Sequence, residues 1–287
     1  MRPPGQRRLQ GLEMGFDEDT ALAVGAPGVF DLDVPAHWRV ARGAVNGGYV
    51  AGVVTRALEA VVADPDRRPR SLTVHYLAGC RPGPARITAT VERSGSSMTA
   101  LSARMTQGDA TVALALAAFA TARPGLDFQH QPMPETPPPE ELPAWKLEEG
   151  MYRRPSFSTN WDYRPCIGAV PFSRAAEATS GGWLRLLQPR LLDAPLLAAM
   201  ADAWIPPVIT MYEPGGMLPT IDLTVHFRSS VPLPGAEPDD FSLAVFTSRI
   251  GAEGFWESDG VIWSRDGRVL AQARQLALFN MPSAVQS

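Results

Sequence analysis

Apolar and polar positions alternate in many short runs along the chain, and each half interrupts that alternation with one predominantly apolar stretch at helical spacing. Period-two alternation in Val29-Phe30-Asp31-Leu32-Asp33-Val34 predicts a strand with one buried face. A helix is predicted next. Asn46 stands at its N-cap, Gly47 and Gly48 follow, and apolar positions continue through Tyr49, Val53, Leu58, Val61 and Val62 until Asp64-Pro65 stops them. Only Thr55, Arg56 and Glu59 break the surface of this helix, so it is expected to be buried, with a sheet wrapped around it. Strand-like runs then cover 71–77, 85–93, 98–107 and 110–120. Between them stand Arg81-Pro82-Gly83-Pro84, Ser94-Gly95-Ser96 and Gly108-Asp109, which read as hairpin turns. Pro132, Pro134 and Pro137-Pro138-Pro139 mark a linker. Beyond it 157–164 and 182–188 read as extended, and 191–204 reads as a helix ending before Pro206-Pro207. Strands are predicted at 221–228, 241–249, 255–264 and 269–279.

The two halves repeat one order of elements, and one pentapeptide marks the repeat: Leu72-Thr73-Val74-His75-Tyr76 returns as Leu223-Thr224-Val225-His226-Phe227. A helix followed by an antiparallel meander of long strands, twice, is an α+β class in which two antiparallel sheets each wrap around a central helix, the hotdog arrangement in tandem. The expected division is an N-terminal unit over 14–125, a Pro-rich linker over 126–155 and a C-terminal unit over 156–282. Residues 1 to about 13 read as a disordered tail.

Length and composition agree with two ordinary domains: 287 residues, 45% hydrophobic and 20% charged. No apolar run approaches the ~20 residues needed to span a bilayer. The segment from Met1 to Arg8 has no apolar stretch behind it, so export is not expected and the cytoplasm is the default. A net charge of -4 argues against nucleic acid as a partner. Arg67, Arg68 and Arg70 form the main basic cluster, read as a solvated loop or as the mouth of a site for an anionic carrier. Cys80 and Cys166, one in each half, read as free thiols. No His, Cys or carboxylate spacing resembles a zinc site, and no cofactor is expected.

Several stretches resemble the double-hotdog acyl-CoA thioesterases, the type II thioesterase family of bacteria and peroxisomes. They are Asn46-Gly47-Gly48-Tyr49 ahead of the apolar helix, residues 71–82, Val91-Glu92-Arg93-Ser94-Gly95 with Met105-Thr106-Gln107-Gly108, Ala201-Asp202-Ala203-Trp204 near the end of the second helix, Pro219-Thr220-Ile221-Asp222, and Ala271-Gln272-Ala273-Arg274-Gln275. The resemblance runs from about residue 45 to 279, the linker aside. It implies an acyl-CoA substrate, release of a free fatty acid and CoA, and Asp202, Thr220 and Gln275 as the catalytic acid, alcohol and amide. Paired hotdogs usually bury the outer face of their sheet against another pair, so a homo-oligomer of such chains is one expected state and the oligomeric state stays open. The stretch between Asp202 and Thr220 is shorter than in the best-known bacterial members.

Hydrolysis of a thioester calls for these residue types independently of any family. A carboxylate serves as base, while a hydroxyl and a carboxamide hold the water without competing for its proton. Backbone N–H groups at the helix start, from Asn46 through Gly47, Gly48 and Tyr49, are candidates for oxyanion and substrate binding. Each residue has a plainer reading: Asp202 as a polar helix tail, Thr220 as an ordinary strand residue, Gln275 as a core amide, and the glycines as packing positions. Asp222 competes with Asp202, since it shares the face of Thr220 if the strand is regular there. Aligning Leu72 with Leu223 sets Pro69 opposite Thr220, and aligning the last strands sets Ala117 opposite Gln275, so one active site per chain is expected. His75 and His226 occupy equivalent places and read as structural; His37 and His130 fall in unrelated segments. Gly95-Ser96-Ser97 lacks the frame of a nucleophile elbow. Two other functions compete. A hydratase or dehydratase would need an Asp–His pair, but Asp222 and His226 stand ~13 Å apart along a strand. A non-catalytic acyl-CoA binder would retain its ligand without the three polar groups. Trp183, Trp204, Tyr212 and Met217 are candidates to line an acyl tunnel or to fill the core.

Overall fold

The computed structural model describes residues 15–40, 43–145, 156–212 and 217–280. The tail expected over residues 1 to about 13 and part of the expected linker, 146–155, lie outside them. A short helix α1 (Phe16–Asp19) and strands β1 (Ala23–Val24) and β2 (Val29–Val34) lead into helix α2 (Gly47–Val62). Strands β3 (Arg68–Tyr76), β4 (Gly83–Ser94), β5 (Met98–Gln107) and β6 (Ala110–Ala120) complete the first half. The second half carries β7 (Trp161–Gly168), β8 (Ala178–Leu186), helix α3 (Ala194–Met200), β9 (Thr220–Phe227), β10 (Ser242–Ser248), β11 (Gly251–Ala252), β12 (Phe255–Trp263) and β13 (Val269–Leu278).

Helix α2 begins where a side chain can replace a missing helical acceptor: Asn46 Oδ1 accepts the Tyr49 N–H at 3.1 Å. It ends at Ala63, which adopts the left-handed conformation at φ 47° ahead of Asp64-Pro65. Ten of its sixteen residues are buried, which explains a helix with so little polar surface. It packs against β3 to β6 and against α3.

Two sheets were expected, but the described strands form a single antiparallel sheet of thirteen strands. Its order is β1-β2-β4-β5-β6-β3-β9-β13-β12-β10-β8-β7, with β11 on β12. The joint between the halves is the repeated pentapeptide itself. Strands β3 and β9 pair antiparallel with Thr73 opposite Thr224, Leu72 opposite Val225 and Val74 opposite Leu223. The two Thr hydroxyls bond across the seam at 2.9 Å, while the flanking Leu and Val side chains are buried on the other face.

The expected meander holds for β4-β5-β6 and for β10-β12-β13 but not for the first long strand of each half. Strand β3 pairs with β6 rather than β4, and β9 with β13 rather than β10, so Arg81-Pro82-Gly83-Pro84 is a crossover and not a hairpin turn. The register is the same in both copies: Leu72 faces Ala117 in the first and Leu223 faces Gln275 in the second.

Local boundaries also moved. The run expected to be extended from 157 begins as a 3-10 turn, Ser156–Asn160, because Thr159 Oγ1 closes on the Ser156 carbonyl at 2.7 Å. The helix expected over 191–204 shortens to α3, capped by Asp193 and followed by a turn that carries Asp202. Residues 129–142 pack on the second half. Trp183 Nε1 donates to the Pro137 carbonyl, and Met133 and Leu142 pack on Trp183, Phe241, Leu243 and Trp263.

Candidate functional site

Three elements distant in sequence bring the predicted acid, alcohol and amide together. Asp202 sits in the turn after α3, Thr220 opens β9 and Gln275 lies on β13. Gln275 Nε2 donates to Thr220 Oγ1 and lies 3.4 Å from Asp202 Oδ1. The other carboxylate oxygen, Oδ2, accepts the Gly48 N–H at 2.9 Å and Asn46 Nδ2 at 3.0 Å, and the same Asn46 amide reaches the Asp202 carbonyl at 3.0 Å. Burial pushes the Asp202 carboxyl up to about 6, against the opposing pull of hydrogen bonds from Gly48, Gln275, Asn46 and Gly47. An acid at the tail of its own helix is disfavoured by that helix dipole. Here the carboxylate faces the N-terminus of α2, where the field favours it.

The two glycines at the start of α2 are required by this close approach. A Cβ on Gly48 would stand 2.4 Å from the Ala199 carbonyl oxygen, and one on Gly47 would stand 2.9 Å from Asp202 Oδ2. The plainer packing reading of these glycines therefore applies, although the partner is α3 and the acid rather than a sheet. The Gly48 N–H, expected to serve an oxyanion, is already committed to Asp202. Tyr49 does not line the cavity: its N–H is held by Asn46, and its hydroxyl donates to the Asp19 carbonyl at 2.6 Å beneath Trp38.

A break in strand pairing separates the two candidate acids. The β9–β13 register slips between Leu276 and Ala277, so that Asp222 faces Leu276 and Thr220 faces Ala277, leaving Ile221 as the extra residue. Regular alternation, which would have put Asp222 and Thr220 on one face, does not hold there. Thr220 joins Asp202 in the cavity wall, while Asp222 pairs with His75 on β3 and is absent from that wall.

The cavity measures about 610 Å³ and is lined mostly by apolar groups from both halves. Of the four large residues considered for an acyl tunnel, Trp204 and Met217 line it. Trp183 is buried in a separate cluster with Met133 and Leu142, and Tyr212 stacks on Phe279 at 4.5 Å. Trp204 meets Tyr163 edge-on at 5.3 Å, and Tyr163 meets Trp145 at 6.0 Å, so the interrepeat segment contributes to the lining. Cys80 also lines the cavity, its thiol pushed up to about 12 by burial; Cys166 packs on the Trp183 cluster, and both are free.

None of Arg67, Arg68 and Arg70 lines the cavity. Arg68 and Arg70 are in β3 rather than a loop, and Arg67 pins the β4–β5 turn through Thr99 Oγ1 and the Gly95 and Ser96 carbonyls. No histidine lines the cavity either; His37 instead bonds buried Asp19 at 2.7 Å. Among the described residues no cluster of His, Cys, Asp and Glu could hold a metal ion, and no helix is long and apolar enough to cross a membrane.

Sequence reasoning missed Tyr76. Its hydroxyl donates to the Gly47 carbonyl at 2.8 Å, it lines the cavity beside Asp202, and burial followed by the charges of Asp202 and Asp222 raises its pKa well above the usual phenol value. The signal was present in the repeat, where Tyr76 is the only position of the pentapeptide that differs, against Phe227.

A hotdog fold with an acid, an alcohol and an amide on the wall of an apolar cavity narrows the class, and comparison with known proteins identifies the family. Residues 34–120 match the acyl-CoA thioesterase N-terminal domain and residues 129–279 the acyl-CoA thioesterase C-terminal domain. The chain belongs to the acyl-CoA thioesterase family, of the type II kind. A protein of unknown function with a hot dog fold from Alicyclobacillus acidocaldarius is 27% identical, with a TM-score of 0.83 over 93% of this chain and 98% of that one. The acyl-CoA thioesterase II of Mycobacterium marinum shares the fold at 22% identity and a TM-score of 0.75, over 94% of this chain and 99% of that one. An uncharacterised protein of Mycobacterium tuberculosis is 25% identical over 87% of this chain and 90% of its own length.

Proposed function

We propose that the chain hydrolyses an acyl-CoA to a free fatty acid and CoA by direct attack of a water held by Asp202, Thr220 and Gln275. The observation that carries this reading is their convergence, from three separate elements, in one hydrogen-bonded cluster on the wall of an apolar cavity. Asp202 is the base. Its raised pKa makes it a stronger proton acceptor than a solvent-exposed aspartate while leaving it mostly ionised at pH 7. Thr220 and Gln275 orient the water, and the apolar lining takes the acyl chain. In this reading 14–125 and 156–282 are tandem hotdog units joined by 126–155, and each chain has one site, because Pro69 and Ala117 replace Thr220 and Gln275 in the first unit.

General-base help of this kind is worth ~100 to 10,000-fold. The test is thiol release from acyl-CoAs of graded chain length by wild type and Asp202→Asn. Wild-type turnover, with a loss in that range in the variant, is expected. Wild type that binds several acyl-CoAs and releases no thiol is a binding protein instead. The hydratase reading finds no support, since it needs a histidine at the cavity.

A further inference from the structure

A tetrahedral intermediate at the thioester carbon requires a hydrogen-bond donor for the oxygen that gains charge. Of the backbone amides at the helix start that sequence reasoning assigned to this task, Asn46 N–H donates to the Trp38 carbonyl, Tyr49 N–H to Asn46 Oδ1 and Gly48 N–H to Asp202 Oδ2, and Gly47 N–H also acts on the Asp202 carboxyl. Asn46 Nδ2 is divided between the Asp202 carboxylate and carbonyl, and Gln275 Nε2 between Thr220 and Asp202. A donor outside the Asp202, Thr220 and Gln275 cluster stands on the same wall and can be redirected by rotation about a single bond. Tyr76 holds its O–H on the Gly47 carbonyl, an acceptor outside the Asp202 cluster, and a Cβ on Gly47 would touch both Asp202 Oδ2 at 2.9 Å and the Tyr76 hydroxyl at 3.2 Å. The acid and the phenol thus both stand against the same glycine, on the wall of one cavity.

Resting on the thioesterase reading above, we infer that Tyr76 is a further catalytic residue, whose hydroxyl donates to the carbonyl oxygen of the thioester as water adds. In this step the water oxygen bonds to the acyl carbon, Asp202 takes the water proton, and the carbonyl π electrons move onto the oxygen held by Tyr76. Collapse restores the C=O bond and breaks the C–S bond; the sulfur leaves with its electron pair and takes the proton from Asp202, giving acid and thiol. Burial keeps the phenol protonated through the working pH range, as a donor must be.

The repeat supplies its own control for folding. Phe227 fills the equivalent place in the second half, where the neighbouring helix starts at Asp193-Ala194-Pro195 without the paired glycines, and it is buried there. Tyr76→Phe should therefore fold. Its kcat for acyl-CoA should fall by roughly 100 to 1,000-fold, the usual cost of one oxyanion donor, with KM little changed and the acid limb of the pH profile unmoved. Should Tyr76→Phe not fold, 3-fluorotyrosine at 76 keeps the ring and strengthens the donor, and kcat should rise. Unchanged kcat in either variant overturns the inference while leaving the hydrolase standing. A fall accompanied by a shifted acid limb makes Tyr76 a positioning residue for the helix start and overturns direct contact. Wild type inert toward every acyl-CoA overturns both readings together.

Discussion

Replacing Asp202 by Asn separates the catalytic role proposed for this carboxylate from what it costs the fold. The group titrates near 6 in the folded chain against an ordinary value of 3.8, because burial penalises its charge more than its hydrogen bonds relieve it. Below the unfolded value both states hold the proton and there is no net effect. Between 3.8 and about 6 the unfolded chain loses its proton first, so stability falls as pH rises, and above the folded pKa the full cost is present. At about 1.4 kcal/mol for each pH unit between the two values, the cost at pH 7 to 8 is up to about 3 kcal/mol, less what the solvent in the cavity screens. Asn removes the charge in the same volume, and its amide oxygen can still accept from Gly48 and Asn46. Denaturant titrations of both proteins from pH 4 to pH 8 should therefore show the variant gaining on wild type as pH rises through 4 to 6, with turnover at pH 7 lowered ~100 to 10,000-fold. Wild-type kcat/KM should rise about tenfold per unit below pH 6 and level off above it. A flat stability difference across that window, or an acid limb near 4, would refute a carboxylate raised by burial.

Three further outcomes follow from the same contacts. Asn46→Ala removes a helix cap worth about 1 kcal/mol and one side-chain donor to the Asp202 carboxylate; since donors favour the charged carboxylate, its loss should move the acid limb of kcat/KM upward in pH. Gly48→Ala forces a methyl group to within 2.4 Å of the Ala199 carbonyl and should destabilise by about 1 to 3 kcal/mol in chemical unfolding, with activity lost as α2 and α3 separate. Arg67→Ala frees the β4–β5 turn, so hydrogen exchange at 94–99 should accelerate while acyl-CoA turnover stays at the wild-type rate.

Much of this protein was legible in its own residues. Period-two alternation set the bounds of β2, β5 and β6, and the Asn46 cap and the Asp64-Pro65 stop bounded α2, because these signals act within a few residues of where they are written. The duplicated pentapeptide announced two similar halves. The alignment of the copies anticipated that Ala117 and Gln275 would stand at equivalent register positions. What alternation cannot state is which strand lies alongside which. The pairing of β3 with β6, and the meeting of the two copies at Thr73 and Thr224, depend on contacts between residues far apart in sequence. The site divides in the same way. An acid, an alcohol and an amide were recognisable as residue types, but the slip at Ile221 that separates Thr220 from Asp222 is a property of two paired strands. The capture of the Gly48 amide by Asp202 required the end of α3 to abut the start of α2. A backbone donor bonds whichever acceptor the assembled fold brings to it, and that choice is made only in three dimensions.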